Sequence, residues 1–328
     1  MFIVNPAFSL VAVTVVLVFY GILVRRSLTA PFGDVRSGLF VAVAEWAAKR
    51  VAGLPALQAR AWKPNLLVPV LDTRQLRGDF RFIHDVTYPK GTIRLIGLSS
   101  SDHMRDGKEE LEDLASAFRQ EGVFASWSTV DGAEFRTGIG TGMDTLVGSF
   151  FRPNILFLGM PESKERSEDV TELIGKAKEN KRGVLVFADH PQARLGRRQV
   201  INLWLSDRSP NWELSMDIGN ADLAILVSYK LLQNWNGDIN LLTAVSEDQV
   251  EPASAFLENL SEVARLPSPG IHVIAASFDE ACQQAPQADL SVFGLPDEVK
   301  MEALERMRDR ARSACVFVQD SGQENALA

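Results

Sequence analysis

An uncharged apolar stretch at the start of the sequence constrains the fold more than any other feature. Met1–Val24 contains no Asp, Glu, Lys or Arg, and Arg25 and Arg26 follow directly. As a helix, the part from Ala7 to Val24 would be roughly 27 Å long, about the thickness of a hydrocarbon core. In lipid, only a helix satisfies every backbone polar group of a single segment. We therefore predict a transmembrane helix within residues 1–26.

Two alternative interpretations of this stretch fit it less well. A buried core strand would be several times shorter. A cleaved signal peptide would carry its basic residues before the apolar core, whereas here the basic pair follows it. By the positive-inside rule, that pair places the rest of the chain on the cytoplasmic side. We therefore expect a protein of the cell (inner) membrane with a cytoplasmic C-terminal domain.

The composition of the 328 residues limits the possible partners and ligands. Apolar residues make up 46% and charged residues 23%, which is typical of a globular protein. The net charge is −8 and no run of basic residues with interleaved aromatics occurs, so we expect no nucleic-acid partner. The densest basic cluster, Arg194, Arg197 and Arg198, is typical of a solvated loop. Cys282 and Cys315 form no Cys-x-x-Cys motif, so we expect no metal site and a reducing compartment.

A second helix is predicted after the apolar stretch, over residues 34–51 within a connector of residues 27–61. Asp34 is placed to cap it, and Val35, Leu39, Val43 and Trp46 recur at helical spacing. The helix is too polar to span a membrane. It could lie along the membrane, pack on the same helix of a second chain, or serve as an ordinary connector.

From Trp62 onward, short apolar runs alternate with helical patterns. Continuous runs of Val, Ile and Leu are typical of strands that are covered on both faces. We therefore predict an α/β fold with a doubly wound, mostly parallel sheet. The predicted strands are Leu66–Leu71, Ile93–Leu98, Phe124–Thr129, Ile155–Met160, Val184–Ala188, Val200–Leu205, Ile239–Val245, Ile271–Ala276, Leu290–Phe293 and Cys315–Val318.

The predicted helices lie between these runs, and an internal similarity suggests two lobes. Trp62–Val68 resembles Arg152–Leu158, since each places a basic residue, Pro and Asn just before a strand. The similarity indicates either two convergent strand starts or two related lobes, residues 62–210 and 211–328. The predicted helices are Gly107–Gln120, Glu165–Lys181, Asp217–Gln233, Gln249–Arg265 and Asp297–Arg312.

Two segments resemble phosphate-binding loops. Ser99–His103 follows a predicted strand, where hydroxyls and backbone amides could hold a phosphate, but a polar loop that caps the next helix explains it better. Gly138–Gly142 does not directly follow a strand, as a dinucleotide-binding loop would. We therefore predict no cofactor-binding residue.

The remaining candidates for chemistry are isolated. Asp102-His103 and Asp189-His190 are adjacent pairs after predicted strands, and His84 and His272 stand alone, so we predict no catalytic residue. The acidic cluster Glu109, Glu110, Glu112 and Asp113 is typical of a solvated helix face rather than a metal site. The tryptophans Trp204, Trp212 and Trp235 are expected to pack at the lobe junction, and Trp127 lies in a strand.

Several segments, in this order, resemble one transporter family. After the apolar helix come Gly33–Leu39, Trp62-Lys63-Pro64-Asn65, Thr87–Gly91 before Ile93–Gly97, Arg152–Met160 and Ile201–Asp207. Together they resemble the C-terminal part of the cation–chloride cotransporters, in the amino acid–polyamine–organocation transporter superfamily. No single segment is specific, but their order and spacing over nearly the whole chain are distinctive.

The resemblance implies a function for the whole chain. It implies a non-enzymatic, cytosolic regulatory and dimerisation domain of universal stress protein type, attached by the last membrane span to a symporter of chloride with potassium or sodium. Residues 34–51 would match the helix that joins subunits, giving a homodimer in contact with membrane lipid. With one predicted span, we expect the transport core to be encoded upstream or on a separate chain. The alternative is a membrane-tethered nucleotide-binding sensor.

Overall fold

The computed structural model describes residues 6–25, 35–52, 62–72, 76–99, 104–131, 134–149, 151–161 and 163–327. The chain divides into two compact units, residues 1–57 and 58–328. The first unit holds two helices, α1 (Pro6–Arg25) and α2 (Val35–Ala52), so the predicted helices form in both places. Asp34, the expected cap of α2, lies outside the described residues.

Apolar side chains are exposed on both helices of the first unit. On α1 they range from 47% exposure at Val13 to 78% at Phe8, and on α2 they include Val41, Val43 and Trp46. Among the described residues, no helix meets the length and apolarity needed to cross a membrane. The membrane span within residues 1–26 stays a prediction.

The described residues of the second unit form ten strands, and each lies at one of the predicted apolar runs. They are β1 (Asn65–Val70), β2 (Thr92–Ser99), β3 (Phe124–Asp131), β4 (Ile155–Gly159), β5 (Gly183–Ala188), β6 (Val200–Trp204), β7 (Asp238–Val245), β8 (Gly270–Ala275), β9 (Leu290–Gly294) and β10 (Ala314–Gln319).

Within the ranges that the structure describes, the α-helices of this unit include all five that were predicted and three that were not. The additional ones are α3, which begins after residues outside the description, the glycine-rich α5 and the seven-residue α9. The helices are α3 (Leu76–Thr87), α4 (Met104–Gln120), α5 (Phe135–Thr145), α6 (Lys164–Glu179), α7 (Asn220–Trp235), α8 (Val250–Val263), α9 (Phe278–Gln284) and α10 (Met301–Ala311).

The strands form one sheet in the order β3-β2-β1-β4-β5-β10-β9-β6-β7-β8. Neighbouring strands are parallel, except that β5 and β10 are antiparallel. One buried cluster lies under α3, α4, α7 and α8, and a second lies under α5, α6, α9 and α10 on the opposite face. Every residue of β5 and of β10 is buried, as expected for strands covered on both faces. The predicted doubly wound, mostly parallel sheet is confirmed.

An internal two-fold relation connects β1–β5 with β6–β10. The first half of the sheet has the order β3-β2-β1-β4-β5 from its outer edge to the centre. The second half has the equivalent order β8-β7-β6-β9-β10 from the other outer edge to the centre. The register agrees as well: Leu66 pairs with Ile93 and Ile155, and Ile201 pairs in the same way with Ile239 and Leu290. The relation is centred on the antiparallel strands, where Val186 is opposite Phe317. We call β1–β5 and their helices the first half, and β6–β10 and theirs the second half.

The position of β6 shows where the halves meet along the chain. This strand pairs with β7 and β9, both in the second half. The expected boundary between residues 210 and 211 would leave β6 in the first lobe. The strand order instead assigns residues from about the start of β6 to the second half.

The repeated Pro-Asn segments hold neighbouring strands together. Asn65 N donates to Asn154 Oδ1 (2.8 Å), and Asn154 Nδ2 donates to Lys63 O (3.0 Å). In the second half, Asp289 occupies the position of Asn154, and its Oδ2 accepts from Val200 N at 3.0 Å. Each half therefore has a polar clamp at the amino end of its first and fourth strands.

A buried carboxylate joins the halves on the face with α3 and α7. Asp85 Oδ2 accepts from Trp235 Nε1 (2.7 Å) and from Arg198 Nη1 (3.0 Å), and its Oδ1 lies 2.9 Å from His84 Nδ1. Trp235 lies at the junction, as expected. The expectation of a solvated loop is wrong for Arg198, because its guanidinium pairs with a carboxylate that is only 5% exposed.

Two other tryptophans do not lie at the junction. Trp204 packs on Phe278 and Phe293, with ring centroids 5.5 and 5.8 Å away. Trp212 Nε1 donates to Gln249 Oε1 at 3.0 Å. All of these partners belong to the second half, so neither Trp204 nor Trp212 lies where the two halves meet. With the expected lobe boundary after residue 210, Trp204 does contact the second lobe, through Phe278 and Phe293. Trp127 lies in β3, as expected.

Candidate functional site

Each half has one place where its strand order reverses direction. In the first half the reversal lies between β1 and β4, and in the second between β6 and β9. In open α/β sheets, ligands bind outside the carboxyl ends of the strands at such a reversal, because the following loops diverge there. The structure therefore offers two candidate crevices, related by the internal two-fold relation.

The strand ends place similar residues at both crevices. Strand β4 ends with Gly159, which Met160-Pro161 follows, and β9 ends with Gly294, which Leu295-Pro296 follows. Asp189 follows β5, and Asp320 follows β10. At each glycine a helix approaches closely: a β-carbon at Gly159 would lie 3.4 Å from Asp79 Oδ2, and one at Gly294 would lie 3.3 Å from Asn220 Cβ. The two crevices thus share a backbone plan as well as a position.

The first crevice is defined by two carboxylates, one of which carries a guanidinium partner. Asp79 is in the first turn of α3, where its negative charge faces Asp189. Burial, and then the charge of Asp189, raise the pKa of Asp79 to about 7. Arg194 forms an ion pair with Asp189. Asp79 therefore exchanges a proton near neutral pH, whereas Asp189 is neutralised by a cation.

The second crevice is filled by the chain itself. Asp320 N donates to Asn220 Oδ1 (2.9 Å), and Ala326 N donates to Asp222 Oδ1 (2.7 Å). Glu324 Oε2 accepts from Ser321 N at 2.9 Å. We call Asp320–Leu327 the covering segment, because it lies over the first turn of α7.

The covering segment brings several carboxyl groups together. Burial, followed by Glu324, raises the pKa of Asp320 to about 7, and burial is also the main cause that raises the pKa of Asp222. The charged groups acting on the pair are Glu324 and Asp217, both acidic. Asp320 Oδ2 is buried without a hydrogen-bond partner within the described chain. This arrangement stabilises a bound proton at neutral pH.

An open cleft of about 400 Å³ lies beside the second crevice, at the carboxyl ends of β7 and β8. Its charged lining consists of Asp207 and Glu247, accompanied by Ser246 and Ser277. Negative side chains disfavour phosphate groups, so this cleft does not resemble a site for a nucleotide triphosphate.

The structure also locates the segments that resembled phosphate loops. Residues 100–103, which include the candidate pair Asp102-His103, lie outside the described residues. Gly138–Gly142 is in the interior of α5. There a β-carbon at Gly142 would lie 2.3 Å from Ile96 Cδ1, so this glycine allows close packing of α5 on β2.

The other candidate residues have structural partners or are exposed. His190 Nδ1 accepts a hydrogen bond from Ala193 N at 3.0 Å. The side chains of the neighbouring residues His84 and Asp85 contact each other. Glu109, Glu110, Glu112 and Asp113 are exposed on α4, as expected. Over the described ranges, no group of three or more His, Cys, Asp or Glu residues could hold a metal ion. His272 lies in β8, and burial raises the pKa of the Cys282 thiol to about 11.

Of the residues at the crevices, the sequence prediction named only Asp189, in the pair Asp189-His190, and it assigned that pair no role. Asp79, Asp189, Asp222, Asp320 and Glu324 are scattered along the chain, and none belongs to a recognised motif. One signal was available, because Asp189 directly follows an apolar run that was predicted as a strand and Asp320 follows another such run after Gln319. The internal repeat of Gly-x-Pro at the ends of β4 and β9 was a second signal.

Comparison with known proteins first defines the class. A putative universal stress protein from Pseudomonas aeruginosa UCBPP-PA14 is 14% identical, with a TM-score of 0.52 over 81% of this chain and 96% of that chain. At this identity the likeness concerns the fold alone. The chain thus carries an α/β domain of universal stress protein type in two joined halves.

The family is defined by closer matches. Residues 68–195 and 196–327 match the first and second parts of the prokaryotic cation-chloride cotransporter C-terminal domain. The crystal structure of the cytoplasmic domain of a prokaryotic cation chloride cotransporter is 41% identical, with a TM-score of 0.74 over 81% of this chain and 99% of that chain. No match was found among curated protein sequences. The chain belongs to the prokaryotic cation–chloride cotransporters, and most of it is their C-terminal domain.

Proposed function

We propose that this chain is the last membrane span and the cytoplasmic regulatory and dimerisation domain of a cation–chloride cotransporter in the inner membrane. One observation carries the proposal: the family domain of residues 68–327 follows a helix, α1, whose described side chains are exposed and, apart from Thr14, apolar. Exposed apolar side chains on all sides of a helix are unfavourable in water and favourable in lipid. The domain itself is proposed to be non-catalytic.

The continuous sheet supports a particular mode of regulation. The halves share the β5–β10 pair and the Asp85 contacts, so a hinge between them would break many buried interactions. Regulation through rearrangement of a homodimer, passed along α2 to a transport core, leaves these interactions intact. The core would be encoded upstream or on a separate chain. The exposed Val43 and Trp46 on α2 support packing against the same helix of a second chain.

Two measurements in membranes test this proposal. Extraction with high-pH carbonate should leave the chain in the membrane, and its release would exclude the span. Oxidation of the Val43→Cys variant should give a disulfide-linked dimer. Glu45→Cys, on the other side of α2, is the matched control and should stay monomeric. Native Cys282 and Cys315 are buried and should not interfere. Equal cross-linking at both positions would contradict a defined α2 interface.

The alternative function, a nucleotide sensor, finds no supporting feature at the described crevices. Asp207 and Glu247, which line the open cleft of the second half, would repel a triphosphate. We expect no saturable binding of ATP or ADP to the full chain at millimolar concentration. Saturable binding in equilibrium dialysis would favour the sensor instead.

A further inference from the structure

The amino ends of the first-half strands carry a distinctive surface. An exposed basic residue precedes each of β1, β2, β4 and β5, and two exposed aromatic rings accompany them. Phe124 is 51% exposed and Phe151 is 40% exposed, with ring centroids 5.1 Å apart. We call this surface the basic-aromatic edge; it consists of Lys63, Lys90, Phe124, Phe151, Arg152 and Lys181.

The fold arranges the basic side chains along one continuous edge. The Asn65–Asn154 clamp fixes the backbones of Lys63 and Arg152 beside each other, because Asn154 Nδ2 bonds Lys63 O and Asn65 Nδ2 bonds Arg152 O at 3.4 Å. The ion pairs between described residues involve none of these four basic side chains. Lys90 also adds to burial in lowering the pKa of Lys230, so a further positive group is near. Glu121 is the exposed carboxylate closest in sequence to Phe124.

The second half shows that the fold does not require this surface. By the strand register, Lys63 corresponds to Arg198, which forms an ion pair with Asp85, and Lys90 corresponds to Asn236. In the same register, Arg152 corresponds to Gln287, and the positions of Phe124 and Phe151 are held by Ser268 and Pro286. In the same register, Lys181 corresponds to the exposed Arg312, so a basic residue recurs at that position. The remaining positions of the edge hold neutral residues, or Arg198 in its ion pair with Asp85, and no aromatic ring, so the same strands form without most of this surface.

The geometry points to an anionic lipid bilayer surface as the partner of the basic-aromatic edge, and this inference rests on the proposed membrane attachment. Aromatic rings favour the membrane–water interface, and each basic residue near an anionic surface adds to attraction. The chain carries a net charge of −8, so a positive edge would orient the domain with its acidic parts away from lipid. The polypeptide also enters the domain at this edge, at Trp62, following α2.

A spin label beside the edge tests the contact in the full chain in vesicles. Gln120→Cys places the label at the end of α4, four residues before Phe124. Glu262→Cys, near the end of α8 in the second half, is the matched control. Both native positions are exposed. With paramagnetic lipid headgroups, relaxation at position 120 should rise about threefold when roughly a third of the lipid is anionic. Relaxation at position 262 should stay low, and high salt should reverse the rise at 120.

Two charge variants show whether the edge itself is responsible. Lys63→Gln, Lys90→Gln, Arg152→Gln and Lys181→Gln together should abolish the rise at position 120. Lys164→Gln, Arg197→Gln, Arg265→Gln and Arg306→Gln change the net charge equally at other exposed sites and should leave the rise intact.

The outcomes distinguish the edge contact from the membrane span. Three results would overturn the inference, since each points to a protein partner or to no contact. They are a relaxation signal that does not depend on lipid charge, equal signals at positions 120 and 262, and a rise at position 120 that persists in the edge variant. Carbonate extraction of the same vesicles reports on the span alone. If carbonate releases the chain but the charge-dependent signal remains, the span is wrong and the edge contact stands.

Discussion

The two halves of the domain form the same sheet but cover its crevices differently. Both have a polar clamp, Asn154 or Asp289, at the start of their strands, and both place an aspartate after the last strand. In the first half this aspartate, Asp189, is paired with Arg194, whereas in the second Asp320 is enclosed by the covering segment. Features that recur in both halves serve the fold. Exposed features that occur in one half alone require another explanation, as do the aromatic rings and most of the basic side chains of the basic-aromatic edge.

The largest expected effect concerns the contact that the halves share. Phe317 is fully buried in β10, opposite Val186. Phe317→Ala should lower the free energy of unfolding by about 4 kcal/mol, since it leaves a cavity where the two half-sheets meet. Because the sheet is continuous, calorimetry should show one transition at a lower temperature. Two separate transitions, with only the second half affected, would show that the halves fold independently.

A pair of glycines tests whether the internal two-fold relation extends to local packing. A β-carbon at Gly91 would lie 2.3 Å from Pro64 O, and one at the corresponding Gly237 would lie 2.0 Å from Gln199 O. Gly91→Ala and Gly237→Ala should each destabilise the protein by about 3 kcal/mol, because the backbone must move. Gly175, on α6, has no atom within 4 Å of such a β-carbon, so Gly175→Ala should be stabilising. Urea denaturation measures all three. A large difference between the first two would break the equivalence.

The polar clamps should differ in strength. Asp289 accepts from the backbone amides of Arg197, Gln199 and Val200, whereas the Asn154 side chain makes one such bond and donates one. Asp289→Ala should therefore cost about 3 kcal/mol and Asn154→Ala about 2 kcal/mol, because the acid forms more bonds and charged ones are stronger. Chemical denaturation of the two variants provides the comparison, and the reverse order would refute this account.

The smallest effect is a matched dependence on pH. The pKa values of Asp79 and Asp320 are both raised to about 7, so the folded protein holds protons that the unfolded chain has released. Stability should fall as pH rises from about 4 to about 7, with up to one proton per site. Asp79→Asn and Asp320→Asn should each flatten part of this dependence in denaturation measured across that range. An unchanged slope in either variant would indicate an ordinary pKa at that site.

The sequence predicted the strands well because continuous apolar runs are a local signal of burial on both faces. The failures came from information that is not local. The lobe boundary was misplaced beyond β6, since only pairing with β7 and β9 reveals its half. Arg198 and Trp235 meet Asp85 across more than a hundred residues, so the basic cluster alone could not reveal the ion pair. Asp79 and Asp189 also meet only through the fold.

The antiparallel pairing of β5 and β10 has a consequence for any shortened form of this protein. A piece that ended between the halves would keep a wholly apolar edge with unpaired amides and carbonyls, which water solvates poorly. Because that edge is related to its missing neighbour by a two-fold axis, two such pieces offer each other the same surface that the intact chain supplies from within. We therefore expect a truncated first half to dimerise through β5, so that two separate molecules form the two-fold symmetric pairing that the intact chain forms within itself.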